Sequence, residues 1–380
     1  LTSKSFWIWH FLNNSKDEGE MTLRRLADEL GLSPTTVSRA LAGYDDVAAA
    51  TRAKVVRAAK RLGYVPNAAA AGFRTGRSRA VGVVLPAQPG HFDDPFFLQV
   101  LTAIGRRLAE ADFDLLVAAA QPGEAELKVY RRLVDARRVD GMIVARARLD
   151  DERIAFLQDR DFPFIVHGRT RTKRPYAWLD IDGHAAFRDA TLRLAAMGHR
   201  RIALINAPDH YTFAHYREAG WRTAHAALAM PTGEFRAAEA TEENGHRLAA
   251  ELLALRVPPT ALLCGTDRLA VGALRAIAQA GLGAGRDVSV IGYDDLPVAS
   301  YTQPALTTVA QPWTQAGEKL VEMLLALFAG AKPEMLCELW QGKLVVRGSD
   351  GPAPGHDTEK DVKTTHVKKG EKPNAQTTHR

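Results

Sequence analysis

Between residues 80 and 330, short apolar runs alternate with amphipathic helical stretches, and this alternation constrains the fold more than any other feature of the chain. Strand-like runs at 81–85, 115–119, 142–145, 163–167, 202–205, 261–264 and 288–292 are separated by helical periodicity at about 96–110, 125–137, 185–197, 214–229, 244–255, 267–280 and 314–328. Strands joined by helices pair in parallel, and the helices cover both faces of the sheet they connect. Two doubly wound sheets fit into about 270 residues, which predicts two lobes with a cleft between them.

Ligands of such sheets sit beyond the carboxyl ends of the strands. The candidates there are Phe96 and Phe97 after the first run, Arg146, Arg148 and Asp150 after the third, and His167 and Arg169 after the fourth. Trp178 lies near a crossing between lobes, Arg217 on the helix after the run at 202–205, Thr266 and Asp267 after the run at 261–264, and Asp294 after the last run. Carboxylates and guanidinium groups bind adjacent hydroxyls in pairs, and an aromatic face covers the apolar side of a pyranose ring. This set of residue types suits a neutral sugar. The arginines keep an anionic effector such as a sugar phosphate open as an alternative.

Catalytic signals are weak. GLGAG at 281–285 leaves a helix and enters a strand, whereas a dinucleotide fingerprint leaves a strand and enters a helix. No GxxxxGK[ST], HExxH or GxSxG occurs, and His167, His199 and His210 are isolated. His199, following the helix-ending Gly198, reads as structural. Cys264 and Cys337 have no metal-ligand spacing and suit a reducing cytoplasm. No apolar run approaches the ~20 residues that span a bilayer; FWIWHFL near the start is short and carries a histidine. The reading is a cytoplasmic protein that is not an enzyme and needs no cofactor or metal.

Charge is unevenly placed. Residues 21–79 hold eleven Arg and Lys against four acids, whereas residues 80–350 hold 31 against 33. A basic head on a near-neutral body is the footprint of a polyanion-binding module joined to something that does another job. In the head, Thr22 can cap a helix whose Leu23, Leu26, Ala27 and Leu30 share one face, and Gly31 can end it. Ser33 then caps a second helix with Pro34 at its first position. Val37, Ala40 and Leu41 face inward there, leaving Thr35, Ser38 and Arg39 outward. A third helix spans about 49–62, with Ala48 at a cap position that lacks a side-chain oxygen. This is the helix-turn-helix pattern, whose second helix enters the DNA major groove; Arg39 can take guanine O6 and N7 together. The alanine-rich stretch after it is too short to stay helical alone in water and suits folding on contact with DNA.

The order MTLRRLADELGLSPTTVSRAL, V…TR..V..A...LGY.PN, VGVVLP, VDGMIV, GHRRIALI, AGW, PTALLCGTDRLAVGALRAI and VSVIGYDD…P.LTTV.QP resembles the lac repressor (LacI/GalR) family of bacterial transcription regulators, and the resemblance runs to about residue 349. It implies a body like a periplasmic sugar-binding protein of type I, with the chain crossing between lobes near 180, 310 and 335. It places Asp150, Arg217 and Asp294 at effector-contacting positions and Trp178 where an aromatic faces the ligand. It also implies DNA contacts from Ser33, Pro34, Thr35, Thr36, Ser38 and Arg39, and from Asn67, Ala70 and Phe73 in a hinge helix. Three residues depart from the pattern: Thr266 stands where asparagine is common, Ala71 replaces a polar hinge residue, and Phe73 replaces the leucine that wedges into the minor groove.

The expected organisation is an N-terminal extension at 1–20, an all-α helix-turn-helix domain at 21–63, a hinge at 64–79 and an α/β effector-binding and dimerisation body at 80–349. Lobe 1 takes about 80–180 and 310–335, lobe 2 about 181–309 and 336–349, and a disordered tail follows at 350–380. The expected function is a homodimeric regulator, a repressor by preference, that binds a palindromic operator under allosteric control by a small sugar. A transport-type sugar-binding protein is the alternative, and the basic head speaks against it.

Overall fold

The computed structural model describes residues 21–64, 77–87 and 95–355, the side chains of Pro95 and Phe96 excepted. The extension at 1–20, the hinge positions Asn67, Ala70, Ala71 and Phe73, and the expected tail from 356 to 380 lie outside the described residues. The chain divides into two compact units at Ser78 and Arg79.

The described residues of the first unit form three helices: α1 (Leu23–Leu30), α2 (Pro34–Leu41) and α3 (Ala49–Leu62). Thr22 and Ser33 cap the first two by accepting from the backbone N–H three residues on. Gly31 ends α1 at φ 65°, a left-handed conformation that glycine adopts without strain. Leu26, Ala27, Val37, Ala40, Val47, Val55, Ala58 and Ala59 form the core, one apolar stripe from each helix. Ala48 makes no side-chain cap, as its composition requires.

The second unit contains two six-stranded sheets. The first has β1 (Ala80–Pro86), β2 (Asp114–Ala120), β3 (Gly141–Val144), β4 (Phe164–His167), β5 (Ala177–Ile181) and β11 (Cys337–Trp340), all parallel, in the order β11-β5-β4-β3-β1-β2. Val81, Val83 and Leu85 of β1 point to a core shared with α4 (Pro95–Ala109) and α11 (Trp313–Phe328). Ala80 and Val84, of opposite parity, point to α5 (Glu124–Asp135) and α6 (Glu152–Asp159). Burial on both faces is why β1 and β3 read as continuous apolar runs.

The second sheet has β6 (Ile202–Asn206), β7 (Phe235–Ala237), β8 (Ala261–Cys264), β9 (Ser289–Asp294), β10 (Thr307–Ala310) and β12 (Lys343–Val345), in the order β12-β10-β9-β8-β6-β7. Only β12 runs antiparallel. One face is covered by α7 (Gly183–Ala196) and α8 (Thr212–Ala227), the other by α9 (Glu242–Leu253) and α10 (Asp267–Gln279). At Gly220 the backbone of α8 lies so close to α7 that a Cβ would sit 2.1 Å from the His184 carbonyl oxygen, which is the requirement behind glycine in AGW.

Two boundary expectations are corrected. The third crossing falls at Gln341 and Gly342 rather than near 335, because β11 pairs with β5 of the first sheet (Cys337 beside Trp178) before β12 joins the second. Order also continues past 349. Asp350 accepts from Thr307 and Arg193, the Gly351 carbonyl accepts from Ser289, and Ala353 N–H donates to the Met197 carbonyl. Composition suggested disorder there; buried polar partners on the second lobe hold the segment instead. His199, 1% exposed, bonds Thr260, Ser289 and Gly351 in that network and is structural, as its sequence context indicated.

Candidate functional site

In the head, the start of α2 is locally closed. Ser33 Oγ accepts from Thr36 N–H at 3.0 Å and lies 2.8 Å from the Thr36 hydroxyl. Pro34, Thr35 and Arg39 are exposed, Thr36 and Ser38 half-buried. The Arg39 guanidinium pairs with Asp46, with Nε 3.2 Å from Oδ1, and lies over the Tyr44 ring at 5.0 Å.

In the body, the strand ends of both sheets line a cleft open to solvent, as ligand sites in such folds do. The first sheet contributes Arg146, His167 and Asp180, with Phe97 from α4. The second contributes Asp294 at the end of β9, Thr266 before α10, and Phe213, Tyr216 and Arg217 on one face of α8; Gln311 and Trp313 enter from a crossing. Three strand ends leave the usual backbone regions here: Arg146 has φ 52°, Gly168 116° and Asp294 124°. Positive φ at the non-glycine positions is strain of the kind that concentrates at functional sites.

Arg217 is 7% exposed. Its Nη1 donates to the Gly265 carbonyl at 2.5 Å, and its guanidinium carbon lies 3.9 Å from the Tyr293 ring centre and 4.6 Å from that of Phe213. Its Nε is buried without a hydrogen-bond partner. Asp294 accepts from Gln311 Nε2 at 2.7 Å, and its carbonyl accepts from Trp313 Nε1 at 3.0 Å. His167 Nε2 is also buried and unpartnered. Burial, reinforced by the charge of Arg217 and opposed by Asp180, lowers the His167 pKa and keeps the imidazole neutral near pH 7. Unsatisfied buried polar atoms are costly, so a polar ligand is the natural complement of both groups.

The loop between β3 and α6 is held from two sides. Below it, Glu126, Arg148, Asp151 and Arg153 form a cluster of ion pairs at 2.5–2.9 Å, and Arg153 donates to the Arg146 carbonyl at 3.1 Å. Burial would raise the Asp151 pKa, but its bonds to Arg153 outweigh that and hold it below the usual carboxylate value. Across the cleft, Thr212 N–H and Oγ1 both donate to the Ala147 carbonyl at 3.0 Å, and Leu149 N–H donates to the His210 carbonyl at 3.2 Å.

Of the expected ligand residues, Phe97, Arg146, His167, Arg217, Thr266 and Asp294 come together around the cleft. Asp150 does not. Its side chain is 85% exposed and faces Arg171 at 3.7 Å, because the turn directs Asp151 inward to cap α6 and meet Arg153. Arg169 lies just behind the lining, bonded to Asp180 at 2.7 Å and stacked 3.9 Å over Tyr216, and Trp178 packs behind Arg169 at 5.8 Å rather than on the cleft. The Phe96 side chain is outside the described residues. Asp180, Phe213, Tyr216, Gln311 and Trp313 were missed. Phe213 and Arg217 are four positions apart on the same helix, with Tyr216 beside Arg217, so that signal was present; Asp180 lies on β5, which is not an apolar run.

Comparison with known proteins agrees with this geometry. A model of bacterial regulatory proteins of the lacI family matches residues 22–67, and one of a periplasmic binding protein-like domain matches 191–349. The HTH-type transcriptional regulator AglR of Rhizobium meliloti is 40% identical over 343 residues, 88% of this chain and 95% of the relative. The lac repressor dimer bound to operator and the anti-inducer ONPF superposes with a TM-score of 0.77 at 29% identity, covering 87% of this chain and 99% of that one. A complex of the transcriptional regulator CelR with cellobiose gives 0.66, also at 29%, covering 87% and 100%. The chain belongs to the lacI family of bacterial regulatory proteins, and it is a transcriptional regulator of the helix-turn-helix type.

Proposed function

We propose that this regulator acts in the cytoplasm as a homodimeric repressor, that α2 of each head reads one half of a palindromic operator, and that a neutral sugar in the cleft controls the affinity for DNA. Arg39 reads a guanine, while Thr35, Thr36 and Ser38 meet phosphates or base edges. Asn67, Ala70 and Phe73 belong to the hinge between head and body and contact the minor groove. The body performs no catalysis.

The observation that carries the neutral-ligand reading is the charge balance at the cleft. Among the lining residues Arg146 and Arg217 stand beside Asp180 and Asp294, two charges of each sign; Asp180 also bonds Arg169 behind the lining, so counting that guanidinium these five groups carry one excess positive charge. An anion-binding site concentrates positive charge; this one alternates it beside the aromatic faces of Phe213, Tyr216 and Trp313. Buried groups that bond hydroxyls also discriminate strongly, since a missing hydroxyl leaves them unpaired.

The test is a melting-temperature screen of the full chain against mono- and disaccharides and their phosphates. A ligand at 100 times its Kd stabilises the native state by about 2.7 kcal/mol. Neutral sugars should give the larger shifts, and the best of them should change the affinity for operator DNA. A phosphorylated sugar that outperforms its neutral parent would overturn the neutral reading, and a stabilising sugar without effect on DNA binding would overturn the allosteric one.

A further inference from the structure

The head carries only four acids between residues 21 and 79, and Asp46 lies beside the reading helix. A carboxylate there is repelled by DNA phosphates, so its position needs a compensating role. Its contact supplies one. Nε of Arg39 donates to Oδ1 and Nη2 meets Oδ2, so the carboxylate grips one forked edge of the guanidinium while the Tyr44 ring lies 5.0 Å from its carbon. A guanidinium has a second forked edge, Nη1 with Nη2, and that edge has the geometry to take guanine O6 and N7 together.

The loop bearing Asp46 is itself built. Arg52 Nη2 donates to the Tyr44 carbonyl at 2.7 Å, Tyr44 N–H donates to the Arg39 carbonyl at 3.1 Å, Val47 N–H donates to the Tyr44 carbonyl at 3.3 Å, and Val47 is buried in the head core. The carboxylate therefore stands on a fixed backbone rather than on a mobile turn.

We propose that Asp46 is a positioning residue for base reading, holding the Arg39 side chain in the extended, oriented state that presents its free edge to guanine. Arginine has many rotamers, and ordering it at the moment of binding is costly; Asp46 and Tyr44 order it beforehand. The ion pair is half-exposed, and pairs of that kind contribute little to folding. Its consequence is specificity, not stability. The inference rests on Arg39 reading a base.

The experiment uses the full chain and a library of DNA duplexes randomised across the palindrome, with base preference measured at every selected position. Arg39→Ala identifies the position Arg39 reads, where the wild type should prefer guanine by about 10- to 100-fold. Asp46→Ala and Asp46→Asn should reduce that preference about three- to tenfold at this position alone, with Asp46→Glu recovering part of it. Asp45→Ala removes the same charge from a fully exposed side chain whose partner is Arg52, and should leave every preference intact. Melting curves matching the wild type verify that the Asp46 variants are folded. Asp46 variants that keep or sharpen the guanine preference would overturn the proposal and make Asp46 a competitor of the base. Equal loss in Asp45→Ala would overturn it in favour of a general charge effect. Arg39→Ala with all preferences intact would refute the reading of Arg39 itself, and the proposal with it.

Discussion

Replacing Arg217 tests the cleft most directly, and Arg217→Met is the sharper form of the test because it keeps a long apolar side chain among Phe187, Phe213 and Tyr293. Of the five N–H donors of the guanidinium, one goes to the Gly265 carbonyl and the Nε–H is buried without a partner. A hydrogen bond to a charged group contributes about 1.5–3 kcal/mol. If the sugar takes Nε–H and one further N–H, the variant loses about 3–6 kcal/mol of binding, which is at least about 150-fold in Kd. The free protein should lose less: the bond to the Gly265 carbonyl, about 1.5–3 kcal/mol, and ring contacts of about 0.5–2 kcal/mol are lost, but removal of a buried unsatisfied donor offsets part of this. Calorimetric titration with the sugar found by melting measures the first quantity, and denaturant unfolding without sugar the second. Operator affinity without sugar should be unchanged, since Arg217 lies in the body. A loss of sugar affinity below about threefold would mean that Arg217 is a packing residue and that the ligand binds elsewhere.

Three other perturbations follow from single contacts. Burial pushes the Asp267 carboxyl up to about 6 despite bonds from Leu296 N–H and Thr308 Oγ1. A native pKa above the unfolded value of 3.8 gives stability that is present in acid and lost as pH rises from about 4 to 6, some 3 kcal/mol at about 1.4 kcal/mol per unit. The stability difference between wild type and Asp267→Asn, measured by denaturant unfolding, should therefore move by this amount across that window and be flat above pH 7. Thr266 Oγ1 caps α10 by accepting from Leu269 N–H at 3.3 Å. Thr266→Ala should cost about 0.5–2 kcal/mol in unfolding experiments, while Thr266→Asn, an equally good cap that adds a donor at the cleft, should keep stability and alter sugar affinity. Ala48→Ser should raise the stability of the head by about 0.5–2 kcal/mol, read by its melting, because the N-terminus of α3 has no side-chain cap.

The elements legible in the sequence were those buried on both faces or closed by caps. β1, β3, β6 and β8 are buried from end to end, and Thr22, Gly31, Ser33 and Pro34 mark helix ends whose chemistry is local. β5 was missed because only every second residue of AWLDI is buried, β10 because the buried TTVA opens with two threonines and is no apolar run, and β7, β11 and β12 because three or four half-exposed residues carry little pattern. The site followed the same division. Arg146, His167 and Asp294 are found by reading just past, or to the end of, an apolar run, whereas Asp180 lies on the strand that was not recognised. Asp150 was read from its place after the third apolar run and from the resemblance, and one residue of register in a turn was enough to exchange it for Asp151.

That exchange bears on how the cleft can signal. The turn at 146–151 rests on four buried or nearly buried charges, an arrangement that contributes little net stability even though removing one partner costs about 3–5 kcal/mol. What such a cluster does supply is a single geometry, here the left-handed Arg146 and the Ala147 carbonyl that accepts twice from Thr212 on the other lobe. Arg146, Ala147 and Thr212 also line the cleft. A ligand that contacts this turn therefore acts on the bonds joining the lobes without a longer relay. To change DNA affinity it must bind one lobe arrangement better than another, since equal affinity for both shifts nothing. A rigid turn makes that difference possible: if the ligand bridges Arg146 and Arg217 as proposed, a loop fixed by the ion cluster ties its affinity to the separation of the lobes.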